Sequence, residues 1–198
     1  LVVTPLIALM KDQVSNLKRK GIKATMIYSA MSREDILTVF DNCYFGDYKF
    51  LYVSPERLST ELFQKKIQAQ RLSMIVVDES HCISQWGYDF RPSYLKIAEI
   101  RKFFPEIPVL ALTATATPEV VDDIQEKLHF AKKHVYKKSF ERSNLAYVVR
   151  RTENKLEQLL RILNSVKGTS VVYVRSRSRT KEIAEFLDVK KHNVVAWF

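Results

Sequence analysis

The chain has 198 residues, of which 46% are hydrophobic and 27% are charged, so it can form one or two domains with a sizeable core. Its net charge of +10 favours a polyanionic partner. It shows no apolar run long enough to cross a bilayer and no signal-peptide pattern. Its two cysteines, Cys43 and Cys82, lack metal-ligand spacing and favour a reduced, cytoplasmic setting.

Strand and helix patterns alternate along the first part of the chain. Short apolar segments are separated by longer segments with helical end signals, an order typical of an α/β protein with a parallel sheet. The predicted strands cover residues 1–4, 24–28, 50–54, 74–78 and 109–113.

Three helices in this part have recognisable ends. Thr4 is an N-cap candidate with Pro5 at the first helical position, and Ser32 with Asp35 forms a capping box. The cap-then-proline pattern recurs at residues 117–118. These signals predict helices over about 5–20, 32–40 and 118–128.

The pattern changes within residues 137–144, where a basic cluster ends and a new α/β series begins. We therefore predict a domain boundary after residue 138, with one domain over 1–138 and the start of a second over 139–198. The second piece is too short to close a core alone. Its predicted elements are strands at 145–149 and 170–174 and helices at 155–166 and 179–187.

Two adjacent carboxylates, Asp78 and Glu79, follow the apolar run 74–77 and precede His81. Ligands of open α/β sheets bind at the carboxyl ends of the strands. Asp78 suits a hard cation such as Mg²⁺, and Glu79 is placed to orient or deprotonate an attacking water. His81 could connect this site to a neighbouring one. The alternative is an acidic strand end exposed to solvent.

An aromatic-rich segment follows the carboxylates directly. Aromatic side chains beside a cation suit stacking on unpaired bases, although packing of the segment onto its own domain is the alternative, favoured for two of the four aromatics. Glycine and proline within the segment indicate a loop. The side chains concerned are Trp86, Tyr88, Phe90, Arg91 and Tyr94.

Hydroxyl residues follow three other predicted strands. Thr4 with Pro5, and Ser54 before Pro55 and Arg57, open helices whose N-terminal amides attract phosphate. Ordinary helix capping is the alternative. Thr113 and Thr115 could link the carboxylate site to the cleft. In the second series, Arg175, Arg177 and Arg179 could contact the phosphate backbone or the nucleotide, with solvated charge as the alternative for Arg175 and Arg179.

These residues carry a resemblance to a known family. Asp-Glu-Ser-His at 78–81, continued by Cys-Ile-Ser-Gln-Trp-Gly-Tyr-Asp-Phe-Arg-Pro-Ser-Tyr to Tyr94, resembles the DExH box and aromatic-rich loop of RecQ-family DNA helicases. The resemblance covers essentially the whole chain. Further matches, in the family's order, are Thr-Pro-Leu at 4–6, Leu-Met-Lys-Asp-Gln at 9–13, Tyr-Val-Ser-Pro-Glu-Arg at 52–57, Leu-Thr-Ala-Thr-Ala-Thr at 112–117, Phe-Glu-Arg-Ser-Asn-Leu at 140–145 and Val-Tyr-Val-Arg-Ser-Arg at 172–177.

The resemblance implies an ATP-dependent helicase that moves 3′ to 5′ on single-stranded and forked DNA in recombination, repair and replication. The implied fold is a RecA-like parallel sheet flanked by helices, of the P-loop NTPase type, followed by the start of a second RecA-like domain. ATP and Mg²⁺ are the implied cofactors. The implied location is the bacterial cytoplasm at the nucleoid, or the eukaryotic nucleus.

The resemblance also implies roles for individual residues. Asp78 would hold Mg²⁺ through water, Glu79 would activate the attacking water and His81 would transmit the phosphate state. Residues implied to couple hydrolysis to DNA are Gln85, Trp86, Phe90, Arg91, Thr113 and Thr115. Residues implied to contact DNA are Thr4, Pro5, Ser54, Arg57, Trp86, Phe90, Arg91 and Arg177.

The chain departs from the family pattern in two places. Many members carry an amide residue where Arg175 stands, and none of the four glycines is followed by lysine, so the sequence contains no G-x-x-x-x-G-K-[ST] phosphate loop. We therefore expect a piece of a longer protein, with the phosphate loop upstream and no ATPase activity in the piece alone. A nucleic-acid-binding module without motor activity, and a related RNA helicase, are the alternative functions.

Overall fold

The computed structural model describes residues 1–87, 89–139, 141–190, 192 and 194–195. It divides the chain into two compact units, Leu1–Tyr136 and a second that begins at Lys137. Whether the second unit is the opening of a second RecA-like domain stays a prediction. In the described part of the chain, no helix is both long and apolar enough to span a membrane.

The first unit is built on a five-stranded sheet in which every pairing is parallel, in the order β2-β3-β1-β4-β5. The α/β class with a parallel sheet, predicted from the sequence, is confirmed. The strand that ends before the carboxylates, β4, lies in the interior of the sheet between β1 and β5. The strands are β1 Val2–Val3, β2 Ala24–Ile27, β3 Phe50–Val53, β4 Ile75–Val77 and β5 Val109–Ala111.

The described residues of this unit also form five α-helices, the last of which follows β5, and three short 3₁₀ turns. Ser32 caps its helix as predicted, because its hydroxyl accepts the Asp35 N–H at 3.1 Å and donates to the Asp35 carboxylate at 2.7 Å. The helices are α1 Ile7–Arg19, α2 Arg33–Phe45, α3 Glu61–Ile67, α4 Ile97–Phe103 and α5 Pro118–Lys127, and the 3₁₀ turns are Pro55–Ser59, Ser80–Ile83 and Pro92–Lys96.

Two of the predicted helix ends in the first unit differ from the structure by more than one residue. The first helix begins at Ile7 rather than at Pro5, because the Thr4 N–H still donates to the Val53 carbonyl, which keeps the backbone in the sheet. The second helix continues past Phe40 to Phe45. No helix-breaking residue occurs there before Gly46, so the helix continues beyond Phe40, its last buried residue.

Helices cover both faces of the sheet because alternate strand residues point in opposite directions. Val3, for example, belongs to a core cluster that contains residues of α2, α3, α4 and α5, whereas Val2 belongs to a second cluster with Met10 and Val14 of α1. On the first face, Phe40 and Phe63 bring their ring centroids within 5.5 Å. This core holds the strand ends in fixed positions.

The second unit contains α6 Lys155–Ser165 and α7 Arg177–Val189. The strands predicted at 145–149 and 170–174 are absent from the structure, which describes both segments in full. Their side chains lie largely in solvent, with Tyr147 90% and Tyr173 91% exposed. A strand-like sequence needs neighbouring strands and a covered face to form a ladder, and these two segments pair with no strand.

We expect Phe40→Ala to lower the free energy of unfolding of the first unit by about 3–5 kcal/mol, because the lost ring is 1% exposed and leaves a cavity. Phe45→Ala is the matched control, since this ring ends the same helix and is 84% exposed, so its cost stays within about 0.5 kcal/mol. Urea denaturation followed by circular dichroism gives both values. Equal losses for the two variants would contradict the packing described above.

Candidate active site

Asp78 stands at the carboxyl end of β4 with its carboxylate oriented from two sides. Its Oδ2 accepts a hydrogen bond from the Thr4 hydroxyl at 3.3 Å, and its Oδ1 accepts the Glu79 N–H at 3.0 Å. Its backbone stays in the sheet, because its N–H donates to the Val3 carbonyl at 2.9 Å. The hydroxyl predicted to cap α1 therefore orients the carboxylate of the neighbouring strand.

The backbone at Asp78 is held by a buried tyrosine from the far end of the aromatic-rich segment. The Tyr94 hydroxyl donates to the Asp78 carbonyl oxygen at 3.0 Å, and the Tyr94 side chain is fully buried. Burial raises the pKa of this phenol well above its usual range, so it stays a neutral donor. Sequence reasoning missed this role. It grouped Tyr94 with the aromatic residues considered for base stacking or packing, and nothing in the sequence pointed to a hydrogen bond with the Asp78 carbonyl.

Glu79 turns the chain sharply away from β4. Its backbone is left-handed, with φ 47° and ψ 43°, a conformation that costs a non-glycine residue about 1–3 kcal/mol. The turn leads directly into the 3₁₀ turn Ser80–Ile83 and leaves the Glu79 side chain 37% exposed. Strain of this kind concentrates at functional sites. Because the chain turns at Glu79, the two carboxylates have different surroundings although they are adjacent in sequence.

His81 joins the ends of two strands. Its Nδ1 lies 3.3 Å from the Glu79 carboxylate and 3.0 Å from the hydroxyl of Thr113, which follows β5. The His81 side chain is only 13% exposed, so its orientation is fixed by these contacts. Thr113 also accepts the Thr115 N–H at 3.2 Å. The structure thus brings Glu79, His81 and Thr113 together, and their roles stay predictions.

The aromatic-rich loop, residues 84–94, packs closely against this site. A side-chain carbon at Gly87 would lie 2.6 Å from the His81 carbonyl oxygen, so only glycine fits there. Trp86 is 78% exposed and free to stack, and Gln85 is exposed beside it, while Phe90 is half-buried. Tyr88 lies outside the described residues. The packing alternative therefore holds for Tyr94 and fails for Trp86.

Arg91 connects this loop to the turn after β1. Its Nε and Nη2 donate to Asp89 Oδ2 at 2.9 and 2.7 Å, and its Nη1 reaches the Pro5 carbonyl oxygen at 3.5 Å. The hydrogen bond from Arg91 lowers the pKa of Asp89. The Arg91 backbone N–H donates to the Cys82 carbonyl at 2.8 Å. Arg91 and Pro5, both predicted to contact DNA, thus lie side by side.

The other predicted DNA contacts are less accessible or belong to the second unit. Arg57 donates to the carbonyl oxygens of Tyr28, Ser29 and Met31 and closes the loop between β2 and α2. Ser54, which follows β3, is 1% exposed, and its hydroxyl has no hydrogen-bond partner among the described residues. Arg177 begins α7 in the second unit and is exposed. Their DNA contacts stay predictions.

Asp78 is the residue best suited to a metal ion here. Among the described residues, no group of three or more His, Cys, Asp or Glu side chains could hold a metal. Mg²⁺, however, is usually held by one or two carboxylates together with water and phosphate oxygens. A single oriented carboxylate at a strand end fits that requirement.

The chain matches known helicases over its full length. Residues 1–124 match the DEAD/DEAH box helicase family. The chain is 40% identical over 198 residues to the ATP-dependent DNA helicase RecQ of Haemophilus influenzae, covering all of this chain and 32% of that protein. The RecQ of Bacillus subtilis is 40% identical over 191 residues, covering 94% of this chain and 32% of that protein. The chain therefore spans about a third of the length of these relatives.

A solved structure supports the fold. The Mycobacterium smegmatis helicase Lhr, whose structure contains single-stranded DNA and AMP-PNP, aligns with 96% of this chain and 28% of its own, with a TM-score of 0.59 and 17% identity. The predicted RecA-like fold is confirmed. The five-stranded parallel sheet, the family match and the sequence of the carboxylate motif agree, and the chain belongs to the DEAD/DEAH box helicase family and, within it, to the RecQ group.

Proposed function

We propose that this chain is the nucleotide- and DNA-coupling part of an ATP-dependent DNA helicase that acts on single-stranded and forked DNA in the 3′-to-5′ direction. The observation that carries the proposal is the continuous set of contacts from Thr4 and Asp78 through Glu79 and His81 to Thr113. Phosphoryl transfer depends on positioning and charge stabilisation, and these contacts position the two carboxylates.

In this proposal the two carboxylates have different roles because their surroundings differ. Asp78 is held by Thr4 and by the Glu79 N–H, and it would bind Mg²⁺ through water. Glu79 is more open, with His81 as its neighbour, and it would orient and deprotonate the water that attacks ATP. His81 would pass a change at Glu79 to Thr113 and to the backbone against which Gly87 packs.

DNA would bind along the edge of the sheet where Arg91, Pro5 and the exposed Trp86 lie. Trp86 and Phe90 would stack on bases, while Pro5, Arg57 and Arg91 would lie along the phosphate backbone. Thr4 and Ser54 are 0% and 1% exposed, so their side chains would support this surface without touching the backbone. Arg177 would be a phosphate contact of the second unit. Backbone contacts position a strand without reading its sequence. Stacking tolerates any base, as a translocating motor requires.

A binding module without motor activity is the competing function. It would need basic and aromatic side chains, but not acids at a strand end, where they repel phosphate. The oriented carboxylate of Asp78 and the left-handed backbone at Glu79 have no purpose in such a module. These two features favour the motor.

In the full-length protein, we expect Glu79→Gln to reduce DNA-stimulated ATP hydrolysis by about 100-fold or more, because the general base is lost. Binding of single-stranded DNA should persist, since Glu79 does not contact DNA in this proposal. Phosphate release and fluorescence anisotropy measure the two quantities. Glu106→Gln, at an exposed position outside the site, is the control. Full turnover by Glu79→Gln would exclude this residue as the base, and a wild-type protein without ATP turnover would favour the binding module.

We expect Trp86→Ala to weaken binding of single-stranded DNA by about 1–3 kcal/mol, or roughly 5- to 150-fold in Kd, if one base stacks on the indole. Trp86→Phe should restore most of the loss because it keeps an aromatic face. Tyr44→Ala removes another exposed ring, 59% accessible and on α2, and should change nothing. Anisotropy titration at fixed salt tests this, and wild-type affinity in Trp86→Ala would rule out the stacking role.

A further inference from the structure

A charged cluster on α5 contacts the start of the aromatic-rich loop. Asp123 Oδ2 accepts a hydrogen bond from the Ser84 hydroxyl at 2.7 Å and forms an ion pair with Lys127 Nζ at 2.9 Å. Ser84 is fully buried, and the Asp123 and Lys127 side chains are 20% and 28% exposed. Residues 39 positions apart in sequence are thereby tied together at the loop's first residue.

The same cluster fixes the backbone on both sides of Ser84. The Trp86 N–H donates to the Ser84 hydroxyl oxygen at 3.2 Å, and Lys127 Nζ donates to the Ile83 carbonyl oxygen at 3.3 Å. A serine hydroxyl that donates to a carboxylate has its lone pairs directed elsewhere, here towards the Trp86 N–H. Asp123 therefore determines the direction in which Ser84 accepts, and through it the position of the backbone that carries Trp86.

The carboxylate at Asp123 is ionised under ordinary conditions. The hydrogen bond from Ser84, followed by that from Lys127, lowers the pKa of Asp123. Hydrogen bonds to an ionised acceptor are shorter and stronger than those between neutral groups. The side chain of the neighbouring Asp122 is exposed and forms no hydrogen bond or ion pair within the described part of the chain. The two adjacent acids on one helix thus differ in their surroundings.

We propose that Asp123 is a positioning residue for the aromatic-rich loop: through Ser84 it holds the backbone of Trp86 in place, and it thereby sets how strongly bound DNA stimulates ATP hydrolysis. This inference rests on the proposed function. Asp123 contacts neither of the carboxylates at the end of β4 in the contacts described above. Its effect can reach the site through the loop, which packs against His81 at Gly87, and through the Ile83 carbonyl that Lys127 contacts.

Hydrogen–deuterium exchange of the full-length protein, without ATP or DNA, tests the anchoring directly. In Asp123→Ala, the amide of Trp86 should exchange about tenfold faster or more than in the wild type, because Ser84 loses the charge-assisted contact that orients it. Asp122→Ala, which removes the same charge from the same helix, should exchange like the wild type. If Asp123→Ala does not fold, Asp123→Asn keeps the side-chain volume and should give a smaller change in the same direction.

ATP hydrolysis by the same proteins tests the coupling. The ratio of the DNA-stimulated rate to the rate without DNA should fall about tenfold in Asp123→Ala and stay at the wild-type value in Asp122→Ala. Ser84→Ala should lower the ratio similarly, and the double variant should lose little more, since both changes remove one contact.

The outcomes separate the two ideas. Unchanged exchange at Trp86 in a folded Asp123 variant, or faster exchange with an unchanged ratio, would overturn the positioning role while leaving the helicase proposal intact. A wild-type protein whose ATP turnover does not respond to DNA would overturn the proposed function, and the exchange data would still decide whether Asp123 anchors the loop.

Discussion

The pairing of β4 with β1 and β5 is the constraint on which the site depends. Val3 is in register with Val77, and Val77 with Ala111. Because the strands are parallel, the residues that follow them reach the same edge of the sheet. Backbone hydrogen bonds continue beyond the paired residues, since the Asp78 N–H donates to the Val3 carbonyl and the Ser80 N–H donates to the Leu112 carbonyl. A shift of one residue in this register would turn Asp78 to the opposite face and break the contact with Thr4.

The strands of the first unit, and the position of the two carboxylates at the end of β4, were predictable from the sequence because they depend on local composition. Apolar runs followed by polar residues mark strand ends, and the capping hydroxyl of Ser32 acts within four residues of chain. The family resemblance then assigned roles to residues already singled out. The contacts of Glu79, His81 and Thr113 required only that two strand ends meet, which a parallel sheet ensures.

Long-range partners could not be predicted in the same way. Three sets of hydrogen bonds depend on the packing of elements far apart in sequence. They join Thr4 to Asp78, Arg57 to three loop carbonyls, and Ser84 to Asp123. The spacing of Asp123 and Lys127 indicates a helical ion pair, but not the loop that it holds. The predicted strands at 145–149 and 170–174 failed for the converse reason, since strand propensity without neighbouring strands does not produce a ladder.

The close packing of the aromatic-rich loop against His81 explains how the loop and the carboxylate site could act on each other. With no room for even a methyl group between Gly87 and the His81 carbonyl, a displacement of the 3₁₀ turn must displace the loop, because close-packed atoms transmit movement instead of absorbing it. The loop is fixed at its two ends, by Ser84 to Asp123 and by Tyr94 to the Asp78 carbonyl. Two residues between them are also held, because the Trp86 N–H donates to the Ser84 hydroxyl and the Arg91 N–H donates to the Cys82 carbonyl, while the Trp86 side chain stays exposed. In the proposed function, a loop backbone held at these points and an exposed Trp86 ring would let DNA at Trp86 and a water at Glu79 influence each other without unfolding either element.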